Sequence, residues 1–130
     1  MSIKLELPVY FNITKDKKVL VGSNFARSKA HYHTLNKVKR YYHDLVADKL
    51  KEFEPIGGQF KVRYTYFYKN PLTDGSNVVS QIDKYLLDAI QEIGLVVNDN
   101  VKYNIGASWS VGGQDKENPR VEVEIYDENI

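Results

Sequence analysis

The chain contains no cysteine in its 130 residues. Disulfides, thiolate metal sites and thiol nucleophiles are therefore excluded, and a reducing cytoplasm is the expected setting. Long apolar runs are missing as well, so no membrane-spanning helix is expected. The opening Met1-Ser2-Ile3-Lys4-Leu5-Glu6-Leu7 lacks the continuous apolar stretch of a secretory signal. Several motifs are absent: G-x-G-x-x-G, the phosphate-binding P-loop, G-x-S-x-G and H-E-x-x-H. The usual dinucleotide, P-loop, serine-hydrolase and zinc-protease readings go with them. A charge of one sign is lacking too, since 18 Lys and Arg against 17 Asp and Glu leave +1.

That small total hides an uneven distribution. Residues 1–43 hold nine basic and two acidic side chains, a balance of +7. Residues 44–130 hold nine basic and fifteen acidic ones, a balance of −6. A basic stretch can attract phosphates whatever the remainder carries, because binding releases counterions locally. Two oppositely charged segments can equally pack together or face solvent. The 42% hydrophobic and 12% aromatic content suits one folded domain over residues 1–130.

Alternation of Ile3, Leu5 and Leu7 with Lys4 and Glu6 predicts a strand closed by Pro8. A turn at 12–16 and a short strand at 18–21 follow. Residues 26–53 carry a helical stripe of Tyr32, Leu35, Val38, Tyr42, Leu45, Val46, Leu50 and Phe53. The first half of that stretch bears Arg27, Lys29, Lys37, Lys39 and Arg40 without an acid. Residues 60–69 form the clearest strand, with Phe60, Val62, Tyr64, Tyr66 and Tyr68 on one face. A turn-rich loop leads to a helix from about Asn77 to Ile93, ended by Gly94. Strands are expected at 101–110, with Val101, Tyr103, Ile105, Ala107 and Trp109 on one side, and at 121–125. Gly112 to Pro119 reads as the loop between them. The order β(β)αβαββ gives an α+β fold: a small mixed sheet with two main helices on one face.

Carboxylates are the remaining candidates for chemistry. Asp74 precedes the second helix and Asp99 follows it. About seventeen helical residues span roughly 25 Å, and residues 95–98 are too few to retrace that length. Asp99 is therefore expected to meet the helix near its own end, or to meet a second subunit. Asp83 falls on the edge of the apolar face formed by Val78, Val79, Ile82, Leu86, Ala89, Ile90 and Ile93. A carboxylate there needs a partner. Either a Lys or Tyr of the sheet supplies it, or Asp83 is a metal ligand. Mg²⁺ suits such oxygen donors, and Lys84 beside it could steady charge on a phosphate. His31, His33 and His43 lack zinc-helix spacing and are read as phosphate-contacting or plain surface residues.

With these residues in view, the sequence resembles the RusA family of phage-type Holliday junction resolvases over most of its length. Leu5-Glu6-Leu7-Pro8 with Asn12 looks like that family's opening strand, proline and asparagine. The basic helix from about Ala26 takes the place of its first long helix. Asp74-Gly75-Ser76-Asn77 resembles its catalytic D-x-D-N loop, and Lys84 its helix lysine. Asp88-Ala89-Ile90, Gly94-Leu95 and Asn98-Asp99 resemble its D-A-L…G…D-D stretch. The resemblance implies a homodimer acting with Mg²⁺ on branched DNA in a bacterial host. It further implies that Asp74 and Asp99 are catalytic ligands, that Asn77 shapes the loop, and that Lys84 assists. Two positions depart from the pattern, because Ser76 and Asn98 stand where the family has carboxylates. The stretch from Asn77 to Asp88 is also about one helical turn longer than the family pattern. An alignment that opens a gap there keeps Asp74 and Asn77. One without the gap puts Val78 and Ser80 at the acidic positions.

The first expectation is a Mg²⁺-dependent endonuclease with Asp74, Asp83 and Asp99 as metal ligands. Arg27, Lys29, Lys37, Lys39, Arg40, Lys61 and Arg63 would hold the DNA backbone. The second is a relative that binds DNA or a protein partner without cutting. The third is a single-strand binder that stacks bases on the aromatic strand 60–69.

Overall fold

A computed structural model describes residues 2–22 and 32–128, apart from the side chains of Ile13, Tyr32 and His33. The strands are β1 (Ser2–Pro8), β2 (Tyr10–Thr14), β3 (Lys17–Leu20), β4 (Phe60–Tyr68), β5 (Asn104–Gln114) and β6 (Arg120–Asp127). The helices are α1 (Tyr32–Leu50), between β3 and β4, and α2 (Gly75–Glu92), between β4 and β5. The main sheet runs β1-β6-β4-β5, and β2 and β3 form a separate hairpin. β6 is antiparallel to both β1 and β4, whereas β5 is parallel to β4. A parallel pair needs a crossover between its strands, and α2 is that crossover. The architecture is the expected α+β fold with a mixed sheet.

Alternation decides which side of the sheet is covered. Ile3 and Leu7 of β1, Phe60, Val62, Tyr64 and Tyr66 of β4, and Val121, Val123 and Ile125 of β6 are all buried. They join Val38, Tyr42, Val46 and Leu50 of α1 and Val78, Val79, Ile82, Tyr85, Leu86, Ala89 and Ile90 of α2 in one core. Lys4, Glu6, Lys61 and Arg63 project from the other face. Tyr42 and Tyr85 stack at the helix–helix contact with ring planes 7° apart. The Tyr42 hydroxyl donates to the Pro8 carbonyl at 2.6 Å, tying α1 to the end of β1. Lys39 approaches Asp88 and His43 approaches Glu92, so the two helices run in the same direction.

The boundaries differ from the sequence reading in several places: β2 runs through residues 12–14, which the sequence reading puts in a turn, and α1 ends at Leu50, short of Phe53. Residues 23–31, including the expected first turns of the basic helix, lie outside the described residues. α2 begins at Gly75, two positions early, because Asp74 caps it. Its end is as expected: Gly94 takes a left-handed φ of 77°, and its N–H donates to the Gln91 carbonyl. β5 shifts the most. Residues 100–103 form a turn held by the Asn100 carbonyl, which leaves Val101 outside the strand. The strand then continues through the expected Gly112-Gly113 loop. Gly112 is required there, since a Cβ would lie 2.5 Å from the Phe67 ring. β5 sits at the sheet edge, and its Ile105, Trp109 and Val111 are exposed. Among the described residues no helix is long and apolar enough to cross a membrane.

Candidate functional site

The carboxylates singled out by sequence occupy two different places. Asp74 is the N-cap of α2. Its Oδ1 accepts from the Asn77 backbone N–H and the Ser76 hydroxyl, and its Oδ2 accepts from Asn77 Nδ2 at 3.0 Å. Asn77 thus shapes this loop through Asp74 itself. Trp109 of β5 closes over the same turn. A Cβ on Gly75 would lie 3.1 Å from the Trp109 ring, so a side chain there would have to push the indole away.

Asp83 lies nine residues further on, about 13 Å of helical rise. It points toward the sheet, where the buried Tyr64 hydroxyl donates to its Oδ1. The expected sheet partner is therefore a tyrosine. Burial raises the Asp83 pKa above the usual carboxylate value; the Tyr64 hydrogen bond opposes the rise, and the Asp99 charge adds to it. Tyr64 in turn is pushed well above its ordinary value, first by burial and then by the Asp83 charge. Asp99 meets α2 near the helix C-terminus, donating its backbone N–H to Gln91 Oε1 at 3.2 Å. This is the near-end contact that the short connection requires.

Asp83 and Asp99 consequently share one electrostatic neighbourhood, and Asp74 stands apart as a cap. Among the described residues no three His, Asp or Glu side chains gather as a metal-binding group. The Asp99 charge adds to the rise at Asp83, and a divalent cation placed between two such acids relieves that repulsion. Their oxygen chemistry fits Mg²⁺, which commonly takes only one or two carboxylates and keeps several waters. Lys84, exposed and adjacent to Asp83, is the nearest cation in sequence.

The basic residues also divide. Lys37 and Arg40 are exposed on α1 and border a cleft with Tyr10, Phe11, Asn12 and Tyr41. Lys69 lies over the Tyr10 ring at 5.6 Å and extends that surface. Lys39 belongs to the same helix but is drawn to Asp88 at 3.9 Å. Lys61 and Arg63 line a cleft on the opposite, uncovered face of the sheet, and Lys61 is paired with Glu128 at 3.2 Å. These two residues therefore lie on a different face from the group centred on α1. Arg27, Lys29 and His31 lie outside the described residues, as does the side chain of His33. His43 holds Glu92 at 2.9 Å, which gives it a role between the helices.

The aromatic face of β4 is not a stacking platform, because Tyr64 and Tyr66 are buried. Phe67 on the other face is covered by the Arg120 guanidinium, 4.1 Å from its centroid. The single-strand reading based on this strand is thereby corrected. Sequence reasoning also missed Gln81, which is buried in α2. Its side chain bonds the Tyr85 side chain. No model of a known protein family matches the chain, and no curated protein matches it in sequence.

Proposed function

We propose that this chain is a Mg²⁺-dependent, structure-selective DNA endonuclease of the RusA type, acting on branched DNA in the cytoplasm of a bacterial host. The observation that carries the reading is the Asp83–Asp99 pair. A half-buried carboxylate is held by the Tyr64 hydroxyl at the edge of an otherwise apolar helix face, and the Asp99 charge is near enough to push its pKa up. Such a placement costs free energy unless a proton, a donor or a cation compensates. Tyr64 fixes one oxygen of Asp83, and among the described residues the other oxygen has no hydrogen-bond partner and could take a ligand. A bound Mg²⁺ would supply the activated water and stabilise the departing oxygen of a phosphodiester. Asp83 and Asp99 would hold the ion, and Lys84 would neutralise charge on the scissile phosphate. Lys37, Arg40 and Lys69 grip the flanking backbone without reading sequence. Two copies, each making one cut, would match the two-fold symmetry of a four-way junction.

A second reading has its own support. Both oxygens of Asp74 are occupied by cap bonds, and Ser76 and Asn98 cannot replace the family's acids. On that reading the chain binds branched DNA, or a partner, and does not cut. One experiment separates the two. A labelled synthetic four-way junction is incubated with the protein and Mg²⁺, alongside Asp99→Asn and Asp83→Asn. Paired cuts by the wild type that both variants lose support the nuclease. A stable complex without cuts, identical for all three proteins, overturns it in favour of the binding reading.

A further inference from the structure

The two edges of the main sheet are unlike. β1 ends one side, and its outward positions carry Lys4 and Glu6 before Pro8 closes it. Charges and proline are the usual means of stopping an edge from pairing with another strand. β5 ends the other side and has none of them. Its sequence, Asn-Ile-Gly-Ala-Ser-Trp-Ser-Val-Gly-Gly-Gln, contains no charged residue and no proline over eleven positions. Among the described residues its hydrogen-bonding partner is β4 alone, which leaves one row of its backbone N–H and C=O groups unpaired there. The helix-side row also bears apolar groups that α2 covers only in part, Trp109 at 44% exposed and Val111 at 57%, and Ile105, at a register irregularity of the strand, is 46% exposed.

We infer that β5 pairs antiparallel with β5 of a second copy of this chain, joining two four-stranded sheets into one of eight strands. The choice of occupant rests on charge. Across a two-fold axis every residue meets a residue of the same strand, so charges of one sign along β5 would be set against one another. An edge without charge pairs with itself unopposed. A basic or acidic partner strand, by contrast, would find no counter-charge on β5. Shape agrees. The large Trp109 and Val111 alternate along their row with Ala107, and Gly106, Ser108 and Ser110 occupy the other row. A two-fold pairing can thus set the indole of one copy against a small residue of the other. In a sheet continued this way, both Asp83–Asp99 pairs lie on the same face, related by the two-fold axis.

This inference names the surface for the two copies in the proposed function, but it stands on the strand alone. The test uses the full chain and exploits its lack of cysteine. Sedimentation of the wild type is expected to give the mass of two chains. Val111→Lys and Ile105→Lys alter exposed positions that would face the partner strand, and each should weaken association at least tenfold with an unchanged circular-dichroism spectrum. Ser108→Cys introduces a unique thiol, which a short bismaleimide should cross-link to its counterpart. Lys4→Cys, on the opposite edge, should not cross-link. A wild type that sediments as one chain at every concentration overturns the inference. So does a dimer that both lysine variants leave intact, or one that Lys4→Cys captures and Ser108→Cys does not. The nuclease is judged separately: a dimer joined at β5 that never cuts DNA fails only the proposed function. A monomer that cuts fails only the pairing.

Discussion

Lys39 of α1 ends 3.9 Å from the carboxylate of Asp88 on α2, and Arg40, the next residue, faces away from that contact toward the Tyr41 cleft. Both ions of the pair are exposed, so it adds little stability. It does neutralise part of the Lys39 charge seen by a phosphate. Replacing Arg40 or Lys37 by Gln should therefore weaken junction binding more than replacing Lys39. Each of those two should lower the salt dependence of binding by about one phosphate contact. Fluorescence anisotropy across a salt series measures both quantities, and equal losses at all three positions would count against this assignment of the surface.

Divalent cations provide a test independent of cleavage. A ligand that binds only the folded chain raises its stability by mass action. Mg²⁺, and Ca²⁺ as a non-catalytic substitute, should raise the melting temperature, and a chelator should reverse the rise. Asp99→Asn should abolish the effect. A wild type indifferent to both cations would favour the binding reading.

Asp83 gives a pH dependence of definite sign. Its folded pKa is raised, chiefly by burial. The folded state therefore holds the proton to higher pH than the unfolded chain does. Stability falls as pH rises from the ordinary carboxylate value through the folded value, and the loss persists above both. Asp83→Asn keeps an acceptor for Tyr64 and removes the titration. Urea unfolding between about pH 4 and neutrality should show the wild type losing stability relative to this variant as pH rises. A constant difference across the range would contradict the raised pKa.

Tyr64→Phe removes the hydroxyl that satisfies Asp83. A hydrogen bond to a charged group contributes about 1.5–3 kcal/mol, and the loss should approach that figure near neutral pH. It should shrink in acid, where a protonated Asp83 no longer needs a donor. Chemical denaturation at two pH values distinguishes this from a simple packing defect, which would be the same at both.

Asp74 can be judged as a cap or as a ligand by two substitutions. Asp74→Ala should cost about 0.5–2 kcal/mol, the usual loss for an N-cap, whereas Asp74→Asn should keep most of the stability. Cleavage by Asp74→Asn at close to the wild-type rate is expected from the geometry. Loss of cutting with unchanged stability would return Asp74 to the metal site.

Periodicity made most of the core legible. The apolar positions of α2 and the inward row of β4 were readable because a half-buried helix or strand repeats its apolar residues at its own period. The place of Asp83 on the apolar edge of α2 followed from the same arithmetic, and so did its need for a partner. Asp99 was placed near the helix end by chain length alone. The environment of β5 was not readable, because alternation specifies two faces but not whether anything covers them. Trp109 belongs to a row that looks like core, and only the strand order reveals that this row is at an edge. Nor could composition reveal that Lys61 and Arg63 lie across the sheet from Lys37 and Arg40. The parity of a strand is local, whereas the side on which helices pack is decided by the whole fold.

The strand order has a consequence for synthesis. β6 follows β1 and β4 in the chain, fits between them, and contributes Val121, Val123 and Ile125 to the core. Until residues 120–127 have left the ribosome, β1 has no neighbour in the main sheet and β4 has one side bare. The nascent chain must wait with an open slot at its centre, and any extended segment that enters it first competes with β6.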